Sequence, residues 1–242
     1  MSSNQNSRRT FLKLSAALAP VGLVERAAAQ ETSPKDDLSL SAPGRGQTTT
    51  PDYRPGYFTP AEWAFVQAAV DRLIPKDEHG PGAVEQGVPE YIDRQMQTPY
   101  AEGSLWYMQG PFLEAAPEFG YQSRLTPKEQ YRLGIRAIDA HCRGEFGRAF
   151  ADLAPAQQDD VLKRVEGGQI RSDDAPIRTF FSSFLLRHTN EGFFGDPMYG
   201  GNRDMGGWKM IKHPGVRADY QDFVEDIAPY PYGPVSLHGR QG

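Results

Sequence analysis

The sequence predicts a mainly α-helical protein: one small domain of four to five helices, with long ordered loops and irregular N- and C-terminal arms. Three observations support this fold class. Apolar residues recur at helical spacing in several segments. Two of these segments begin with threonine, proline and glutamate in the order that starts helices. No segment shows the sustained alternation of apolar and polar residues that is typical of a half-buried strand.

The helical domain is predicted to occupy residues 57–242. At 242 residues and 38% hydrophobic composition, the chain suits one globular domain with a tail. Residues 30–56 contain serine, threonine, proline, glycine and aspartate but few large apolar side chains. Such a segment cannot bury a core of its own, so it is predicted to be a linker or extended arm.

The first predicted helix follows Thr59. Pro60 suits the first turn, and Glu62 completes a T-x-x-E capping box with Thr59. Pro75 is expected to end the helix, because the residue before a proline disfavours the α conformation. The apolar face of this helix is predicted to contain Trp63, Val66, Val70 and Ile74. A shorter helix is predicted over residues 88–96.

A second capping box begins the next long helix, at Thr126, Pro127 and Glu129. One face of that helix then carries Tyr131, Ile135, Ile138 and Cys142. A third opening has Ala154 where the other two have threonine, which is a poorer N-cap by about 1 kcal/mol. Gly167 is placed to end this helix, whose apolar stripe is Val161, Leu162 and Val165.

The last predicted helix starts near Pro176. Its aromatic-rich sequence is expected to turn one apolar face inward: Ile177, Phe180, Phe181, Phe184 and Leu185.

The first 29 residues are predicted to be an export signal. The motif S-R-R-x-F-L-K precedes a weakly apolar run from 14 to 24, and three alanines at 27–29 suit a signal peptidase. This pattern resembles a twin-arginine (Tat) signal, carried by Arg8, Arg9, Phe11, Leu12 and Lys13. The apolar run is shorter than the roughly 20 residues of a membrane span. The sequence therefore predicts a periplasmic protein that does not itself span the membrane.

Charge argues against nucleic acid as a partner. Removal of residues 1–29 takes away four of 26 basic residues and one of 31 acidic residues. The remaining 22 basic and 30 acidic residues give a formal charge of −8. An acidic surface repels a phosphate backbone.

The sequence contains no recognisable metal, haem or phosphate-binding motif. The five histidines show no H-x-x-x-H or H-E-x-x-H spacing: His79, His141, His188, His213 and His238. Cys142 is the only cysteine, which excludes a cysteine-ligated cluster and a C-x-x-C-H haem site within this chain. His188 is expected to be a hydrogen-bonded core or interface residue. We therefore predict no catalytic, cofactor-binding or metal-binding residue.

Two alternatives remain open at this stage. One is a self-sufficient periplasmic enzyme that uses Cys142 or the loop Asp77–His79, although a solvated turn is the simpler interpretation of that loop. The other is a ligand- or metal-binding protein that uses the glycine-rich stretch Asp196–Trp208. In that stretch, Asp196, Asn202 and Asp204 carry oxygens that suit calcium, although they lack EF-hand spacing.

Several motifs in order resemble the gluconate 2-dehydrogenase subunit 3 family, which includes the small subunit of fructose dehydrogenase. They span residues 57–238, nearly the whole chain after the signal. The motifs are YFTPAEW (57–63), DRLIP (71–75), DEHGPGA (77–83), VPEYID (88–93), WYMQGP (106–111) and, as the most specific, EGFFGDPMYGGNRD (191–204), which runs on to Trp208 and Lys209.

The resemblance implies a non-catalytic subunit of a membrane-associated sugar or sugar-acid dehydrogenase. In such complexes a GMC-type large subunit carries FAD and oxidises the sugar. A multihaem cytochrome c subunit passes the electrons to the membrane. The small subunit binds the flavoprotein, supports its maturation as an export chaperone and carries it to the Tat translocase. No cofactor is expected in this chain, FAD is expected in the large subunit and haem c in the cytochrome.

The run from Phe193 to Gly215, called here the glycine-rich loop, holds six glycines among aromatic, methionine and charged residues. We expect its glycines to allow sharp turns at positive φ. Aromatic, methionine and arginine side chains are typical of interface cores. The predicted partner interface is therefore Phe193, Phe194, Met198, Tyr199, Arg203, Asp204, Met205, Trp208, Lys209 and Met210. A loop packed entirely on its own helices is the alternative.

Overall fold

A computed structural model describes residues 53–113, 116–217 and 230–242. The predicted signal and most of the predicted linker lie outside these residues. Within them the protein is helical and has isolated β-bridges but no strand, which confirms the predicted fold class. The helices are α1 (Pro60–Leu73), α2 (Val88–Gln95), α3 (Pro127–Phe146), α4 (Pro155–Glu166), α5 (177–194) and α6 (Gly206–Met210). None of the helices in these ranges is long and apolar enough to cross a membrane.

Helix α5 changes its hydrogen-bonding pattern along its length. It consists of Ile177–Thr179, a π-helical segment Phe180–Leu186 and an α-helical segment Arg187–Phe194. The sequence predicted a helix here but not the π segment, since the apolar spacing is similar in both. π-Helical turns are rare in proteins, and those that do occur are often found at functional sites.

Both predicted capping boxes are present. The Thr59 hydroxyl accepts from the Glu62 amide (3.4 Å) and the Glu62 carboxylate accepts from the Thr59 amide (2.9 Å). Thr126 and Glu129 repeat this exchange at 3.4 and 2.7 Å. At the start of α4, the Gln157 side chain accepts from the Ala154 amide (3.1 Å). The methyl group of Ala154 cannot accept a hydrogen bond in return, so α4 keeps only half of the box.

The predicted apolar faces of α3, α4 and α5 are buried, which confirms them. The buried face of α1 is shifted slightly. Val66 and Val70 are buried as predicted, together with Phe65 and Ala69, whereas Trp63 and Ile74 are only half-buried. Aromatic rings join the helices across the core. Phe65 packs on Phe150 at 4.8 Å, Tyr131 on Phe180 at 5.3 Å and Phe58 on Tyr131 at 5.5 Å between ring centroids.

The chain before α1 is fixed to α2 by one buried carboxylate. Asp93 accepts hydrogen bonds from the backbone amides of Gly56 (2.9 Å), Tyr57 (3.1 Å) and Phe58 (3.0 Å). The Tyr53 hydroxyl donates to the same carboxylate at 2.8 Å. These bonds satisfy a buried charge and position the entry to α1. Helix α2 in turn packs against the last segment of α5, which brings the glycine-rich loop beside it.

Candidate interface at the glycine-rich loop

The glycine-rich loop begins inside the core. Phe193 is fully buried, and its ring lies edge-on to that of Phe194 at 4.9 Å. Further along the loop, Trp208 is also buried, and its indole nitrogen donates to the backbone oxygen of Phe194 (2.6 Å). The indole thus finds the hydrogen-bond partner that a buried tryptophan needs. The two ends of this segment hold each other in place.

The glycines of the loop mainly permit close packing. A Cβ atom on Gly201 would lie 2.1 Å from the backbone oxygen of Gly192, and one on Gly207 would lie 2.2 Å from that of Phe193. Only Gly200 and Gly215 have positive φ, at 102° and 73°. The expectation that the loop's glycines generally serve positive φ was therefore wrong. Gly201 and Gly207 lie so close to the backbone of α5 that neither position has room for a side chain.

The sharp turns fall on residues other than glycine. Asn202, Asp204 and Met205 have φ of 45°, 52° and 56°. Asparagine and aspartate tolerate this region, whereas methionine does so at a cost of roughly 1–2 kcal/mol. Asn202 is completely buried and holds the turn together. Its amide donates to the Gly195 oxygen (2.8 Å) and accepts from the Gly207 amide (2.9 Å).

An ion pair joins the loop to α2. The Arg203 guanidinium donates to the Glu90 carboxylate, and both side chains are largely buried. Arg94 lies 3.8 Å from the other oxygen of Glu90. The Arg203 backbone amide donates to the backbone oxygen of Gln86 (3.3 Å), and the Arg203 Nε is buried without a hydrogen-bond partner. The side chain of Arg203 therefore makes its contacts within this chain.

A segment near residue 237 is fixed to the loop through Asp196. One carboxylate oxygen of Asp196 accepts from the Met198 amide (2.9 Å) and the other from the Leu237 amide (2.7 Å). Val216 donates its amide to the Val235 oxygen at 2.7 Å, which extends the contact. The loop therefore depends on residues that lie about twenty positions beyond its end.

The same contacts account for the residues considered as calcium ligands. Asp196 and Asn202 spend their side-chain oxygens on backbone amides of this chain, and Asp204 is exposed, 3.8 Å from Arg240. In the part of the chain that the structure describes, no three histidine, cysteine, aspartate or glutamate side chains come together as metal ligands. The side-chain oxygens of Asp196 and Asn202 therefore stabilise the fold of the loop.

The ten residues of the predicted interface lie in one loop but divide between its two faces. Phe193, Met205 and Trp208 are buried in this chain and cannot contact a partner in this conformation. Partly buried residues are Phe194, Met198, Arg203 and Met210; exposed residues are Tyr199, Asp204 and Lys209. A partner that docks here would meet only the outer face, where Tyr199 is 47% exposed. The interface stays a prediction, narrowed to that face.

The loop Asp77–His79 is a solvated turn. The Asp77 carboxylate accepts from the backbone amides of His79 (2.8 Å) and Gly80 (3.2 Å), and the Asp77 amide donates to the Gly80 oxygen (3.2 Å). The side chains of Glu78 and His79 point into solvent, 3.7 Å apart. This carboxylate closes the turn, as Asx residues commonly do.

Cys142 has the environment of an unreactive thiol. It is completely buried, and burial raises its pKa to about 11, with a further rise from the carboxylates of Asp139 and Glu145. A thiol protonated at neutral pH is a poor nucleophile. The neighbouring His141 turns to Glu145, with 2.9 Å between Nε2 and the carboxylate. No Cys–His pair forms between these adjacent residues.

His188 lies at the centre of a buried polar cluster. Its Nε2 is 2.8 Å from the Tyr100 hydroxyl and its Nδ1 is 2.9 Å from the Tyr131 hydroxyl. Burial lowers the His188 pKa to about 4, so the ring is neutral near pH 7. The prediction of a hydrogen-bonded core histidine is confirmed. Tyr100 precedes α3 and Tyr131 lies on it, so His188 joins α5 to both.

A set of exposed apolar side chains was not predicted from the sequence. They lie in what we call the aromatic connection, residues 103–113 and 116–125, which leads to α3. Five of its side chains are 37–82% exposed: Leu105, Tyr107, Phe112, Leu113 and Phe119. Their apolar character is visible in the sequence, but a core segment would look the same.

Comparison with known proteins gives one match. A family model described as gluconate 2-dehydrogenase subunit 3 matches residues 60–215. The match covers α1 to α6 and the whole glycine-rich loop. No curated protein and no solved structure matches the chain.

Proposed function

The chain belongs to the gluconate 2-dehydrogenase subunit 3 family, and from this premise we propose that it is the non-catalytic small subunit of a flavin-dependent sugar or sugar-acid dehydrogenase. Family membership makes it an accessory subunit of a dehydrogenase complex. The proposal adds that it binds an FAD-containing, GMC-type large subunit, supports its maturation and carries it through the Tat pathway. The match over residues 60–215 is the observation that carries the proposal.

The environment of the candidate reactive groups supports a non-catalytic role. The Cys142 thiol is buried and protonated, and the Asp77 carboxylate closes its own turn. His188 is neutral and bonded to two tyrosine hydroxyls. General acid–base or nucleophilic catalysis needs a group within reach of a substrate and with a matched pKa. These groups serve the fold instead.

The twin-arginine motif supports the export role. FAD is inserted in the cytoplasm, so a flavoprotein that acts in the periplasm has to be exported folded. One signal on a docked small subunit then serves both chains. In the proposed complex the flavoprotein holds FAD and performs the oxidation, and a multihaem cytochrome c subunit takes the electrons to the membrane.

The test is co-purification of the full-length tagged chain from periplasmic extract. We expect a second chain with a flavin absorbance spectrum, identified by mass spectrometry as an FAD oxidoreductase without its own signal. Sugar or sugar-acid oxidation, with gluconate and fructose as the first substrates, should follow that chain through further separation. A flavin-free preparation of this chain alone that oxidises either substrate would overturn the proposal.

A further inference from the structure

The aromatic connection exposes much of its apolar surface. Tyr107, Leu105, Phe119 and Leu113 are 82%, 74%, 73% and 67% exposed. Its described residues carry only two charged side chains, Glu118 and Arg124. Soluble monomers rarely expose large apolar patches, and interface cores are depleted of charge. These features are typical of a surface that another protein covers.

The root of the connection is firmly packed. The Trp106 ring lies 5.5 Å from that of Tyr100 and 5.1 Å from that of Tyr121. Tyr121 packs edge-on against Phe184 of the π segment at 5.4 Å and donates its hydroxyl to the Leu125 oxygen (2.7 Å). Because this base is already packed, a partner that binds here needs to order less of the backbone than it would at an unpacked segment.

A cavity of about 350 Å³ opens at this root. Gln109 and Gln122 add polar groups to its wall, and six of its lining residues are largely apolar: Trp106, Tyr107, Met108, Pro111, Phe112 and Tyr121. The volume is at the lower end of the range for ligand pockets, roughly 300–1,000 Å³. Interface hot spots are commonly large side chains seated in such pockets. The cavity therefore fits one aromatic or aliphatic side chain of a partner.

We propose that the aromatic connection is the docking surface for the dehydrogenase subunit, with an apolar side chain of that subunit in the cavity. This inference rests on the proposed function, which makes the chain one subunit of a complex. The glycine-rich loop is a weaker candidate because it buries Phe193 and Trp208 in its own core. A second copy of this chain is also disfavoured, since the chain is acidic and two copies repel each other.

The experiment compares two double variants of the full-length chain in the co-purification described above. The test variant is Tyr107→Ser with Phe119→Ser, on the connection. The matched control is Val216→Ser with Leu237→Ser, on the C-terminal segment beyond the predicted interface, where both residues are also exposed. Because all four side chains are about half exposed or more, both variants should fold, which circular dichroism and thermal melts will verify. We expect the test variant to lower the recovered flavoprotein about tenfold and the control to change it less than about twofold.

The outcomes separate the inference from the proposed function. If the unaltered chain recovers no flavoprotein, the proposed function fails and the inference falls with it. If the unaltered chain recovers it and the test variant recovers equally much, only the inference is overturned. A third outcome would also overturn the inference. If light scattering shows that the isolated unaltered chain is a dimer and that the test variant is a monomer, the surface is an interface with a second copy of this chain.

Discussion

Arg203 of the glycine-rich loop is ion-paired with Glu90 of α2, across 113 positions of sequence, and the two side chains are only 12% and 7% exposed. Removing one member of a buried pair leaves the other charge without compensation, at a cost of about 3–5 kcal/mol. We predict that Arg203→Met lowers the free energy of unfolding by about 3 kcal/mol, since Arg94 still lies near the Glu90 carboxylate.

Urea denaturation of the isolated domain measures this loss. The double variant Arg203→Met, Glu90→Gln serves as control, because it removes both charges and should recover part of the stability. A loss below about 1 kcal/mol in the single variant would show that the pair behaves like an exposed one.

Close packing of the glycine-rich loop on α5 gives a second prediction. A Cβ on Gly201 meets a backbone oxygen at 2.1 Å, which cannot move aside as a side chain can. Gly201→Ala should lower the free energy of unfolding by about 3 kcal/mol. Gly144→Ala is the matched control, because Gly144 lies on the exposed face of α3 with no atom within 4 Å of the added Cβ. The control should stabilise by about 1 kcal/mol through helix propensity. Thermal melts that shift equally in both variants would refute the packing argument.

The third prediction concerns pH. The His188 pKa is about 4 in the folded chain and about 6.5 when unfolded, so the unfolded state binds the proton first. The contribution of the neutral ring is complete above pH 6.5 and is lost as the pH falls towards 4. The loss reaches roughly 3 kcal/mol.

Other groups also titrate in this range, so the comparison is with His188→Gln, whose amide can both donate and accept. Between pH 7 and 4 the unaltered chain should lose more stability than the variant in urea titrations. Parallel stability curves for the two chains would contradict the assignment. A His188 proton resonance that titrates near pH 6.5 in the folded chain would contradict it as well.

The export role gives a fourth prediction. Arg8→Lys with Arg9→Lys should leave both this chain and its flavoprotein in the cytoplasm, as cell fractionation and immunoblotting would show. Arg45→Lys is the matched control, because it makes the same exchange outside the motif and should leave export unchanged. A flavoprotein that still reaches the periplasm with the double substitution would rule out the escort role.

Local signals in the sequence were sufficient for most of the helices. The capping boxes at Thr59 and Thr126 depend on contacts three residues apart, so the sequence predicts them directly. The buried faces of α3 to α5 follow from helical spacing in the same way. The π segment of α5 did not follow, because a change in backbone hydrogen bonding leaves the apolar pattern almost unaltered.

The glycine-rich loop was harder because its contacts are distant in sequence. Aromatic and methionine side chains suit both an interface and a core, and only the fold shows that Phe193, Met205 and Trp208 are inside. A glycine in a sequence likewise does not reveal whether it serves positive φ, as at Gly200, or close packing, as at Gly201. The exposure of Tyr107 and Phe119 was equally hard to predict, because it depends on whether segments distant in sequence pack over them.

The bond from Leu237 to Asp196 also constrains the order of folding during translation. Asp196 is synthesised 41 residues before Leu237, so one of its carboxylate oxygens cannot find its partner amide until residue 237 has been made. Helices α1 to α5 hold their own contacts by then, whereas the glycine-rich loop reaches its final form only after residue 237 has left the ribosome. A product truncated before residue 237 would therefore lack a contact that fixes the glycine-rich loop. A transport system that accepts only folded cargo would then have a structural basis for rejecting it.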